Sequence, residues 1–166
     1  MRWIWIDAFV GFVSGKRASA VKNITLAEEY LHDHLPGYPV YPPCLMIEGM
    51  AQTGGILAGE ARAFEDNVIL AKIRQAKFWE YAYPGDQLRY DVSLDSIDER
   101  AAVTSGKVYK NGAQIGVVDL LFSHIRADDE SHGAPGHNFV FTDQFMSLLA
   151  TFRGAQGGGS AEANAS

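Results

Sequence analysis

At 166 residues, with 47 % hydrophobic and 20 % charged content, the chain is long enough for one domain with a real core, with or without a tail. A net charge of -6 argues against a general nucleic-acid binder and leaves room only for a local basic patch. The single cysteine, Cys44, excludes an intrachain disulfide and a cysteine-based zinc framework, and fits a reducing, cytoplasmic setting.

Residues 3–13 form an apolar run behind Met1-Arg2, and Ala18-Ser19-Ala20 beyond it has the outline of a cleavage site. Asp7 interrupts the run, and Lys16-Arg17 separate it from the small residues, both wrong for a secretory signal. The run is also too short to span a bilayer. The segment is expected to be folded, with residues 17–24 an alternating strand and no membrane partner.

Residues 34–43 carry four prolines, Pro36, Pro39, Pro42 and Pro43, together with Gly37. Proline fixes φ and lacks an N–H, so this stretch is neither a helix interior nor a central strand. It reads as a stiff loop that begins with the imidazole of His34. From about Cys44 to about Arg62 proline is absent, and Leu45, Met46, Ile47, Met50, Ile56 and Leu57 recur at helical spacing. Pro43 suits the first helical position, where a missing N–H costs nothing.

This helix is apolar on most sides, hence buried. It also holds Gly49, Ala51, Thr53, Gly54, Gly55, Ala58 and Gly59, although each interior glycine costs about 1 kcal/mol of helix propensity. Small residues at that density predict the close approach of another backbone. Glu48 sits in the second turn, with Gln52 one turn later on the same face. A carboxyl on a buried helix is either paired or used; its position alone leaves both roles open.

The period then changes. Residues 68–78, 88–94, 101–109 and 114–125 read as strands, most clearly where Leu88, Tyr90, Val92 and Leu94 alternate with Arg89, Asp91, Ser93 and Asp95. Asn111-Gly112 is a strong hairpin signal, and Pro84-Gly85-Asp86 and Asp98-Glu99-Arg100 mark the other turns. One long buried helix followed by an antiparallel meander predicts an α+β layer, with the helix on one sheet face.

Beyond Arg126, residues 128–137 are polar and flexible in composition. Thr142 and Asp143 read as the cap and first turn of a short helix carrying Phe145, Leu148, Leu149 and Phe152, closed by Gly154. That helix is expected to cover apolar surface, or alternatively to close an acyl tunnel with Phe145 and Phe152. Residues 155–166 are Gly/Ala/Ser-rich and expected to be a disordered tail. The domain proper is therefore 1–126, with 127–154 a linker and short helix.

The run His34-Leu35-Pro36-Gly37, Pro39-Val40, Pro42, Leu45 and Ile47-Glu48-Gly49-Met50-Ala51-Gln52 resembles the (R)-3-hydroxyacyl-[acyl-carrier-protein] dehydratases of type II fatty acid synthesis (FabZ/FabA type). A His-x-Pro-Gly with a helical acid fourteen residues on carries the resemblance, which covers roughly residues 1–126 in layout. Glu48 resembles the FabZ branch, since the FabA branch has Asp there, whereas Cys44 resembles the FabA branch. Pro84-Gly85-Asp86-Gln87-Leu88 also resembles the turn this family has at that point. One departure stands out: where the family runs Pro-Gly into the helix, this chain runs Pro42-Pro43.

The resemblance implies the hot-dog fold, an antiparallel sheet wrapped around a long central helix. It implies an acyl-carrier-protein or CoA thioester as substrate, no cofactor, and a homodimer or a higher assembly (a dimer of dimers or a trimer of dimers). It also implies a site shared between subunits, with His34 from one and Glu48 from the other, the imidazole being held by the Val40 carbonyl.

The chemistry of dehydration suits these residue types. Imidazole titrates near neutral pH and can take the α-proton. Glu48 can protonate the leaving hydroxyl if burial against Leu45, Met46 and Ile47 keeps it protonated. Gly37, Val40, Pro43, Cys44 and Gln52 are candidates for holding the substrate or its developing oxyanion. The family's glycine before the helix lends an N–H to the thioester carbonyl; Pro43 has none, so the Cys44 amide takes over or that donor is lost.

Cys44 itself is expected to be packed in the interior. Lys72, Arg74 and Lys77 lie on one predicted strand, Lys72 and Arg74 on one face by alternation, and could dock an acidic carrier or simply be solvated. His32 and Asp33 read as solvated loop residues, and His124 as a core histidine. His132 and His137 fall in the linker. No Cys/His spacing suggests a metal site. Two other readings compete with the dehydratase: a weak or inactive hot-dog acyl-thioester binder, and a hot-dog thioesterase or hydratase.

Overall fold

The computed structural model describes residues 4–126 and, beyond them, 140, 146, 147, 149 and 150. Within residues 4–126 eight elements follow one another: β1 (Ala8–Val13), β2 (Arg17–Asn23), α1 (Tyr30–Asp33), α2 (Pro43–Ala61), β3 (Asp66–Phe78), β4 (Gln87–Ile97), β5 (Ala101–Lys110) and β6 (Ala113–Arg126). The six strands make one sheet in the order β1-β2-β4-β5-β6-β3, every neighbouring pair antiparallel. Helix α2 packs against β2, β3, β4, β5 and β6, so the sheet curls around it in the hot-dog arrangement.

The meander expected from the alternating strands is confined to β4, β5 and β6. β3 does not pair with β4; it crosses to the far edge and pairs with β6. Alternation tells which face a residue takes, not which strand lies beside it. The β5–β6 hairpin turns at Asn111 and Gly112, with φ of 51° and 91°. Positive φ at both central residues is what a two-residue turn between right-twisted strands demands.

The core lies between α2 and the inner sheet face, where Leu88, Tyr90, Val92, Val118, Leu120 and Phe122 are buried with Met46, Met50 and Leu57 of the helix. The small residues of α2 admit aromatic rings from the sheet rather than another backbone. A Cβ at Gly49 would meet Tyr90 Cζ at 2.5 Å, and one at Gly54 would meet the Phe122 ring and Thr104 Oγ1 at 3.3 Å. Glycine here exchanges helix propensity for ring packing.

Near the end of the chain, Leu149 is buried in the core, and the Val140 N–H donates to Asn67 Oδ1 at 3.2 Å. The predicted linker, tail, cap and the residues Thr142, Asp143, Phe145, Leu148, Phe152 and Gly154 lie outside the described residues, as do His132 and His137.

Candidate active site

The loop that opens the site is built from proline geometry. His34 does not begin it as a free loop residue: it closes the single turn of α1, and its N–H donates to the Tyr30 carbonyl at 3.1 Å. His32 also belongs to α1, and its Nε2 lies 2.7 Å from the Leu26 carbonyl. Leu35-Pro36-Gly37-Tyr38 then forms a turn, closed by the Tyr38 N–H on the Leu35 carbonyl at 2.9 Å. Gly37 has φ 79°, which fits a type II turn with proline at its second position. Gly37 thus shapes the loop that carries His34.

The base of this loop is held from beneath. Trp5, Tyr30 and Tyr41 pack edge-to-face in series, with centroids 5.1 and 5.8 Å apart. The Tyr41 N–H donates to the Ala82 carbonyl at 2.8 Å, tying the entry of α2 to the segment following β3. Lys22 is buried and bridges Glu28 at 2.6 Å and Asp7 at 3.3 Å, just ahead of α1. Burial alone would lower its ammonium, but its two carboxylate partners outweigh that and hold it above the usual range.

Pro43 takes the first position of α2, and Pro42, at φ -60° and ψ 131°, forms the extended step into it. No side chain caps this end. The Leu45 N–H reaches the Pro42 carbonyl at 2.9 Å, which leaves the Cys44 amide as the first free donor of the helix among the described residues. Cys44 is exposed in the single chain, not packed in the interior as expected. It occupies the first turn, where the side chain projects away from the sheet-facing stripe of Met46, Gly49 and Met50.

Glu48 is half-buried rather than buried, because it stands at the border of that stripe. Its Oε1 accepts a hydrogen bond from Gln52 Nε2 at 2.9 Å, the one-turn spacing foreseen for the pair. Gln52 in turn accepts the Trp5 N–H on its Oε1 at 2.8 Å. Both ends of the Gln52 amide therefore face protein, a use different from contacting substrate. Nothing in the residue types foretells Trp5, because a backbone N–H has no signature in sequence.

The His34 ring is exposed and makes no hydrogen bond among the described residues, to the Val40 carbonyl or to Glu48. Val40 itself is buried, its N–H on the Tyr38 carbonyl at 2.8 Å. Within one chain, then, Glu48 is oriented by its own neighbours and His34 is presented outward.

Lys72, Arg74 and Lys77 are exposed on β3 at the edge of the sheet. Simple alternation does not place Lys72 and Arg74, since register shifts fall between Leu70 and Lys72 and between Ile73 and Gln75. Lys72 pairs with Leu121 and Gln75 with Asp119, and Arg74 is the residue inserted between.

Residues 4–118 match the FabA-like domain family. The chain belongs to the FabA-like family. That match contains α1, α2 and the loop between them, and so His34, Glu48 and Gln52. Among its FabA-like relatives is the 3-hydroxyacyl-[acyl-carrier-protein] dehydratase FabZ of a Nitratiruptor species, 36 % identical over 127 residues, covering 71 % of this chain and 84 % of the relative. The enzyme of the same name from Fusobacterium nucleatum is 38 % identical over 128 residues, covering 76 % and 84 %.

The fold is shared more widely than the sequence. The dehydratase heterocomplex ApeI:P from Xenorhabdus doucetiae superposes with a TM-score of 0.63 at 18 % identity, over 74 % of this chain and 83 % of that one. The E. coli PaaI protein of the phenylacetic acid degradation operon does so with a TM-score of 0.58 at 11 % identity, over 72 % and 79 %. At such identities the likeness concerns the fold alone.

Proposed function

We propose that this FabA-like chain dehydrates (R)-3-hydroxyacyl thioesters carried on acyl carrier protein to trans-2-enoyl thioesters, in fatty acid biosynthesis. The observation that carries the reading is the presentation of Glu48. It is a half-buried carboxyl in the second turn of α2, oriented by Gln52, within a family match whose FabZ members are dehydratases by name. In the proposed reaction His34 takes the α-proton, and the C–H electrons form the new double bond. The C–O bond breaks as Glu48 hands its proton to the departing hydroxyl, which leaves as water.

The same reading assigns the remaining parts. The Cys44 N–H, in the first turn of α2, stabilises negative charge on the thioester carbonyl, helped by the helix dipole. The outward His34 and the oriented Glu48 fit a site completed by a second copy, so the working unit is a homodimer or a multiple of it. Lys72, Arg74 and Lys77 offer the acidic carrier a basic strand on a chain of net charge -6. No helix among the described residues is long and apolar enough to cross a membrane, and cytoplasmic operation fits that and the lone thiol.

The test is dehydration, or reverse hydration of a crotonyl-type thioester, run beside thioester hydrolysis on His34→Ala and Glu48→Gln. General acid and base groups are worth about 10²–10⁴-fold each. Both variants are expected to fold and to lose turnover on that scale. Near-parental dehydration in both folded variants, or hydrolysis as the only activity of the parent, overturns the reading.

A further inference from the structure

The hydrogen bonds around Gln52 have a direction that the side chain alone would leave open. An amide side chain can be turned end for end, so its oxygen and nitrogen are assigned by their partners. Here one partner is the Trp5 peptide N–H, which can only donate. The atom facing it, 2.8 Å away, must therefore be Gln52 Oε1. The other end, 2.9 Å from Glu48 Oε1, must be Nε2, a donor and never an acceptor.

That polarity reaches the acid. An oxygen of Glu48 that accepts from Nε2–H has no room for a proton of its own on that side. We propose that Trp5, through its backbone N–H, and Gln52 are positioning residues that fix which oxygen of Glu48 carries the transferable proton. This rests on Glu48 being the acid, as proposed above. Oε1 is held as the acceptor and Oε2 carries the proton toward the substrate hydroxyl. After transfer, the Gln52 donor stabilises the carboxylate left behind, since a hydrogen bond to the charged form favours it.

The anchor matters because of what its loss permits. Without the Trp5 N–H the donor that fixes the oxygen end of the amide is gone, and a turned amide presents its oxygen to Glu48. A protonated Glu48 would then donate to Gln52 Oε1 and hold its proton in an unproductive bond. Trp5 is well placed as a fixed point: its ring packs edge-to-face on Tyr30, whose carbonyl accepts the His34 N–H. One residue of the segment leading into β1 thus touches the supports of both the acid and the base.

The experiment is a set of kcat–pH profiles on the dimeric enzyme with a 3-hydroxyacyl thioester. The basic limb reports loss of the acid's proton. Gln52→Met keeps the side chain's length and removes the donor; Trp5→Pro removes the N–H; Trp5→Phe keeps it and keeps a ring. Gln52→Met is expected to lower kcat at least tenfold with KM within about twofold, and to move the basic limb up by about one pH unit, the shift for a lost charge-assisted bond. Trp5→Pro is expected to follow it, and Trp5→Phe to behave as the parent.

A folded Gln52→Met with parental kcat and an unmoved limb overturns the proposal while Glu48→Gln remains inactive. Retained turnover in Glu48→Gln removes both this proposal and the acid assignment. If Trp5→Phe is as impaired as Trp5→Pro, ring packing is what counts and the N–H role falls. Should Trp5→Pro fail to fold, an ester in place of the peptide bond between Ile4 and Trp5 removes the same N–H, and parental kinetics there overturn the Trp5 role.

Discussion

The Tyr90 ring of β4 lies so close to Gly49 of α2 that a Cβ there would sit 2.5 Å from Cζ and 2.7 Å from the hydroxyl oxygen. Gly49 follows Glu48 directly, so this contact sets how deeply the Glu48 turn sinks onto the sheet. Gly49→Ala is expected to destabilise the protein although alanine is the better helix former. Overpacking a core costs about 1–3 kcal/mol, against a propensity gain of about 1 kcal/mol. Urea titration of Gly49→Ala, Tyr90→Leu and the double variant checks this: the double variant should lose less than the sum of the singles. Additive losses would mean that the ring and the glycine do not oppose each other.

Pro43 is the chain's departure from its family at the helix entry. Pro43→Gly restores an N–H at the first helical position, and one oxyanion donor is typically worth about 10²–10³-fold in kcat. The variant should turn over faster and be somewhat less stable, since glycine frees the unfolded chain. Steady-state kinetics beside thermal melts read both effects. A folded variant with an unchanged or lower rate indicates that the Cys44 amide already serves.

Assembly through the edge strand β3 is expected. This strand is the sheet edge next to β6, its residues 71–74, 76 and 77 are exposed, and Ile73 is 45 % exposed. An open strand edge leaves backbone N–H and C=O groups that can pair with another strand. Sedimentation at micromolar concentration should give at least a dimer, and Ile73→Asp should loosen it and lower turnover together. A fully active monomer contradicts a shared site.

Strand pairing at that edge uses backbone groups and leaves the basic side chains of β3 available. Arg74→Glu with Lys77→Glu should raise KM for carrier-bound substrate several-fold and spare a short pantetheine thioester, with the carrier effect shrinking as salt rises. Equal effects on both substrates would assign these residues to the fold or the edge, not to the carrier.

His124 carries a pH dependence separate from catalysis. Burial holds its imidazole below the ordinary histidine range, and the Arg62 charge adds to this, against the Asp98 carbonyl bonded to Nδ1 at 3.0 Å. A carbonyl only accepts, so Nδ1 bears the proton and the buried Nε2, which has no hydrogen-bond partner among the described residues, is the bare nitrogen of a neutral ring. A base whose folded pKa is lowered stabilises the fold fully above its unfolded value near 6.5, and that contribution is lost as pH falls toward the folded value. Urea midpoints from pH 7.5 to 5.5 should therefore fall less in His124→Gln than in the parent. Parallel curves would show that His124 titrates alike in the folded and unfolded states.

The chain's local chemistry was legible in its sequence. Pro43 at the helix start, Glu48 and Gln52 one turn apart, the stiff proline loop ahead of the helix and the Asn111-Gly112 hairpin all rest on φ restrictions and periodicity, which act over a few residues. Long-range choices lay outside that reach. That β3 joins β6 at the edge, that Tyr90 rather than a backbone fills the notch at Gly49, and that bulges break the alternation of Lys72 and Arg74 depend on strands distant in the chain. The orientation of Glu48 is the sharpest case. It runs through Gln52 to the peptide N–H of Trp5, 47 residues earlier, and only the folded backbone brings that group into place.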